Sequence, residues 1–199
     1  MYQFLAKGGP LMIPILGGFV LGLAIIIERF VNLRYYKVVN SELFLKVKEY
    51  ISEGKFDLAL SYTRKNASSI VKPLLVEAIE NRDLPEEDLK ELIETVGKKS
   101  AKMLEKNLST LSTIVSVEPL LGLLGTVTGM IKVFAVISAK GLGHADLLAK
   151  GISEALITTA AGLSIAIPFL IFYNIFNEKV ENIIIELETE IFSIFKNLK

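Results

Sequence analysis

A chain of 199 residues with 22 Lys and Arg against 22 Asp and Glu has a formal charge of zero, which offers no global field for nucleic acid. Without cysteine it excludes disulfides and thiolate metal sites, and its 51% hydrophobic content is spread too unevenly for a single soluble core.

Taken in chain order, no charge occurs from Gly8 to Ile27, and this window can cross a hydrocarbon layer of about 30 Å at about 1.5 Å per residue. Residues 1–27 therefore predict an outer tail and a first span. The run is longer than a signal peptide's apolar region, and "LAIIIERF" offers no small-x-small cleavage site, so the span is read as retained. Only Lys7 precedes it while Arg29, Arg34 and Lys37 follow, which places the N-terminus outside and the next segment in the cytoplasm.

Residues 28–106 carry most of the charge, with apolar positions at helical spacing, as in Leu43, Val47, Tyr50 and Ile51. Gly54 closes a first helix, "KFDLALSYTRKN" predicts a second, and "SSIVKPLLVEAIENR" a third that Pro73 bends or begins. Asp83 then caps a helix with Pro85 in its first turn and Glu86, Glu87 and Asp88 against the positive dipole end. Nothing after Pro85 stops it, so one helix of about 55 residues, roughly 80 Å, is expected from Pro85 to near Ala139, bent at most at Pro119. Its apolar part, residues 107–139, is the second span.

A short outer loop at 140–151, carrying Lys140 and Lys150, leads to a third span at 152–177, which is uncharged from Ala155 to Asn177. A cytoplasmic C-terminal helix at 178–199 follows, where Ile184, Leu187, Ile191, Ile194 and Leu198 form a heptad seam. That seam packs either on the cytoplasmic helices or on neighbouring subunits. The expected fold class is an all-α integral membrane protein of three spans with long cytoplasmic helical extensions. A soluble all-α protein is the alternative, and the run lengths weigh against it.

The second and third spans hold the polar residues. Gly122, Gly125 and Gly129 suit close helix packing, and Gly162, Pro119 and Pro168 are read as helix-packing residues too, the prolines giving an adjustable bend. "GLLGTVTG" is not a phosphate loop, since no Lys-Ser or Lys-Thr follows. Thr126, Thr128, Thr158 and Thr159 can bond back to their own helices or form a weakly polar wall. Glu118 reads either as a carboxyl hydrogen-bonded between helices or as a station for proton or cation passage, and Glu154 either as a first-turn acid or as part of such a route. His144, the one histidine, is read as a solvated loop residue, and no constellation for enzymatic chemistry or for a cofactor is present in the sequence.

"EPLLGLLGTVTGMIKVF", followed by "GISEALITTAAGLSIAIPFLIFYNIF" and preceded by "IIIERF" after the first span, resembles the ExbB, TolQ and MotA family of proton-channel subunits, closest to the ExbB/TolQ branch. The resemblance implies a bacterial inner-membrane pentamer enclosing helices of a single-span partner like ExbD or TolR, with a TonB- or TolA-like protein beyond it. It implies that Thr126 and Thr159 line the pore and that Glu154 belongs to the proton pathway. Glu118 departs from the family pattern, which has a small apolar residue there. The function implied is coupling of the proton motive force to work. The residues leave two others open: a non-conducting membrane scaffold for a single-span partner, and a self-sufficient cation channel using Glu118.

Overall fold

In the computed structural model of the chain, the residues described are 8–33, 40–141 and 143–196. Among them the elements are seven α-helices, and no strand occurs: α1 (Met12–Asn32), α2 (Ser41–Ser52), α3 (Phe56–Asn66), α4 (Val71–Glu80), α5 (Glu86–Leu104), α6 (Leu108–Lys140) and α7 (Ala145–Lys196). The all-α class is as expected, and α1, α6 and α7 are long and apolar enough to cross a membrane. Lys7, Arg34, Lys37 and Leu198, used above for topology and the heptad seam, lie outside the described residues.

The chain divides into two compact units, Met1–Glu28 with Asn107–Asn174, and Arg29–Lys106 with Ile175–Lys199. In the first, the buried positions of α6 run Leu111, Ile114, Glu118, Gly122, Gly125, Gly129 and Val133, steps of three or four residues that make one helix face. Glycine lets α7 come up to it. A Cβ on Gly122 would lie 3.0 Å from Thr159 Cα, and one on Gly162 would lie 2.5 Å from the Glu118 carbonyl oxygen. The Phe169 ring lies over Gly22 of α1 and stacks on Phe19 with centroids 6.0 Å apart. The outward faces are apolar, with Ile13, Val20, Leu120, Ile131, Phe134, Leu156 and Ile167 exposed, as lipid or another apolar surface requires.

In the second unit α2 to α5 are short and amphipathic. The Asn40 side chain accepts from Glu42 N–H to start α2, and Gly54, at φ 73, lets the chain leave it. Pro73 sits in the first turn of α4, where it begins the helix without interrupting it. Ser100 of α5 donates 3.0 Å to the Ile70 carbonyl, tying α5 to the start of α4. The α7 side chains Ile184, Leu187, Ile191 and Ile194 are buried, so this seam packs inside the chain's own unit.

Three boundaries differ from expectation. The helix predicted from Pro85 to Ala139 is two helices, because α5 ends at Leu104 and α6 begins at Leu108 across Asn107 in the left-handed region at φ 67. The Leu104 carbonyl, which would continue the ladder, instead accepts from the Arg29 guanidinium at 2.8 Å. Pro85 is the residue before α5, and no side-chain cap from Asp83 is made there; the acids Glu86, Glu87 and Asp88 do occupy the first turn. The loop predicted at 140–151 shrinks to Gly141–His144, while the C-terminal helix predicted at 178–199 is the end of α7, an extension of the third apolar helix. Neither 145–151 nor 178–183 contains a proline, and the one glycine there, Gly151, is buried against Val133, so nothing interrupts the ladder.

Candidate functional site

The site is built on the α6–α7 seam of the first unit. Threonine hydroxyls need acceptors in an apolar setting, and each finds one. Thr159 Oγ1 donates across the seam to the Gly122 carbonyl at 2.8 Å, possible only because Gly122 has no side chain. Thr126, one turn further along α6, is half-buried and donates to its own helix at Leu123 O, 2.6 Å. Thr158 is fully buried against Gly125, with its hydroxyl on Ala155 O at 2.8 Å. Gly129 packs on Ala155 and Gly151. Pro119 is half-buried within α6, whereas Pro168 lies on the exposed face of α7 and takes no part in the seam.

The two carboxyls occupy different places. Glu118 is 1% exposed, its carboxyl rests on Gly18 of α1, and its Oε2 has no hydrogen-bond partner. It faces the first helix, not the side where Thr126 and Thr159 lie. Glu154 stands one turn before Thr158 and is ion-paired to Lys132 of α6, with Nζ 2.5 Å from Oε1. Around this pair is a cavity of about 250 Å³ whose wall includes Pro10, Leu11, Gly125, Thr128 and Thr158. Gly9, at φ 70, is pressed against the Glu154 carboxyl.

Sequence reasoning named Thr126, Thr159 and Glu154 but passed over Lys132. A signal existed. A lone cation in one apolar helix and a lone carboxylate in the next are each costly unless paired, and helical register puts both at the same end of the seam. The arrangement can hold a charge at one end and offers weakly polar oxygens along the next two turns.

The MotA/TolQ/ExbB proton channel family matches residues 66–189, which include Glu118, Thr126, Lys132, Glu154 and Thr159. Over 176 residues the chain is 32% identical to the biopolymer transport protein ExbB-like 3 of Synechocystis, covering 85% of this chain and 81% of that protein. Over shorter stretches it is 37% identical to the Tol-Pal system protein TolQ of Haemophilus influenzae, covering 47% of this chain and 42% of that protein. It is also 39% identical to the biopolymer transport protein ExbB of Aquifex aeolicus, covering 44% of this chain and 59% of that protein. The last two matches span less than two thirds of those relatives' lengths.

Proposed function

Because the chain belongs to the MotA/TolQ/ExbB proton channel family, we propose that it is a bacterial inner-membrane channel subunit that couples the proton motive force to work through a single-span partner resembling ExbD or TolR. The observation that carries the reading is the cross-helix bond from Thr159 to Gly122, which sets a hydroxyl on the seam between Thr126 and the inner turns of α6. Thr126, Thr159 and Glu154 form the route, and the partner supplies the main proton carrier, since the three spans of this chain hold no aspartate. The N-terminus and the 141–144 loop lie outside, and α2 to α5 with the end of α7 lie in the cytoplasm. Five copies enclose the partner helices, and a TonB- or TolA-like protein carries the work onward. The scale is adequate, since one charge crossing 100 mV releases about 2.3 kcal/mol.

The test is proton flux into liposomes from the chain with its partner. Thr159→Val is expected to lower flux by roughly tenfold, the factor set by about 1.4 kcal/mol from one lost hydroxyl, while native mass is unchanged. Flux equal to the parent's would overturn the pore role, and a changed mass alone would favour a non-conducting scaffold.

The unpartnered Glu118 carboxyl supports a second reading, a self-sufficient channel with Glu118 as carrier. It demands flux from this chain alone, abolished by Glu118→Gln; no flux without a partner removes it.

A further inference from the structure

Lys132 has no place in the proposed route, yet it holds the carboxylate that does. Its ammonium lies 2.5 Å from Glu154 Oε1, bridging α6 to α7 at the cavity of about 250 Å³. Without Lys132 the polar lining of that cavity would be one carboxylate and two threonine oxygens. Thr128 donates its hydrogen to Leu124 O at 2.9 Å and Thr158 donates to Ala155 O at 2.8 Å. A hydroxyl that has spent its hydrogen on a carbonyl keeps oxygen lone pairs for a cation. A carboxylate with neutral oxygens beside it is the donor chemistry of a hard monovalent ion such as sodium.

We propose that Lys132 determines the ion selectivity of this site: its ammonium is a tethered cation standing where a free sodium ion would have to bind, so the Glu154 carboxylate rejects sodium and remains open to protons. The proposal rests on the reading that Glu154 belongs to the ion route. The discrimination follows from what each ion requires. Sodium needs several oxygens around it and would meet the like charge of Lys132 at a few ångströms. A proton needs one lone pair. It adds to the second carboxylate oxygen as a covalent O–H, with no shell of ligands to assemble, while Lys132 keeps its own proton and its place on the first oxygen. Gly9 limits the remaining space, since any side chain there would strike the carboxyl.

The experiment titrates the full chain, purified in detergent in its native oligomer, with radioactive sodium against a choline background. The parent is expected to show no saturable sodium binding. Lys132→Gln should gain it, half-saturating at a sodium concentration roughly tenfold or more below the highest at which the parent shows none. Adding Glu154→Gln to that variant should abolish the binding, and Lys132→Arg, which keeps the charge, should bind none. Lys132→Thr is measured in parallel in case the glutamine variant fails to assemble. Saturable, Glu154-dependent sodium binding by the parent overturns the proposal, as does no binding by either neutral variant at native mass. Failure of the channel reading shows itself separately, as absent proton flux, because sodium binding is scored without any transport.

Discussion

At the scale of single residues, the seam is governed by which positions lack a side chain. Gly162 and Gly17 are both helical glycines, but a Cβ on Gly162 would meet the Glu118 carbonyl oxygen at 2.5 Å, whereas one on Gly17 would meet nothing within 4 Å. Gly162→Ala must push α6 and α7 apart and is expected to cost about 1–3 kcal/mol, as overpacking does. Gly17→Ala is expected to gain about 0.5–1 kcal/mol from backbone entropy alone. Reversible unfolding in mixed detergent micelles separates the two, and equal effects would mean that the close approach is not there. Glu118 makes the complementary point. A buried oxygen with no partner loses its hydration for no return, so Glu118→Met is expected to stabilise the protein by about 1–3 kcal/mol in the same assay. Destabilisation instead would mean that the carboxyl is bonded in the native oligomer.

The interval between α5 and α6 belongs to the scale of elements. Asparagine enters the left-handed region at lower cost than other residues with a Cβ, and Asn107 does so at φ 67. Asn107→Gly should leave stability within a few tenths of a kcal/mol, while Asn107→Val should cost about 1–2 kcal/mol, seen as a lower thermal midpoint. If valine were tolerated there, α5 and α6 would be running on as the single helix that local propensity predicts. Propensity missed this break for a definite reason: the group that takes the Leu104 carbonyl is Arg29, 75 residues away in sequence. The start of α4 at Pro73 and the acidic first turn of α5 were legible because both depend on neighbours within one turn. The terminal heptad was legible as a pattern, but its partner was not, since an apolar stripe specifies burial without specifying against what. Its burial within the second unit answers that.

At the scale of the whole molecule, two carboxyls of the second unit make stability fall as pH rises. Burial pushes the Glu188 carboxyl above its ordinary range, repulsion from Glu94 adds to this, and Lys98 opposes it. Burial, with Glu186 beside it, does the same to Glu190. An acid whose folded pKa is raised binds more protons folded than unfolded, so its contribution to stability is greatest at low pH and is lost as pH rises from its unfolded value of about 4.3 through the raised one. Glu188→Gln is therefore expected to raise the thermal midpoint at mildly alkaline pH, and the gain should fade as pH drops below about 4.3. A difference between variant and parent that does not vary with pH would show that Glu188 is not strained by its charge.

By itself the sequence determined what depends on runs and local periods: three apolar helices, an amphipathic segment between the first two, and the residue types of the seam. Uncharged runs longer than the hydrocarbon layer and apolar steps of three or four residues state these directly. Tertiary structure alone decided which way each polar group turned. Thr159 reached across to Gly122, Glu118 turned to α1, Lys132 closed on Glu154, and Arg29 ended α5. A side chain's hydrogen-bond partner is whatever group the fold brings within about 3 Å, and for Thr159, Lys132 and Arg29 it lies 22 residues or more away along the chain.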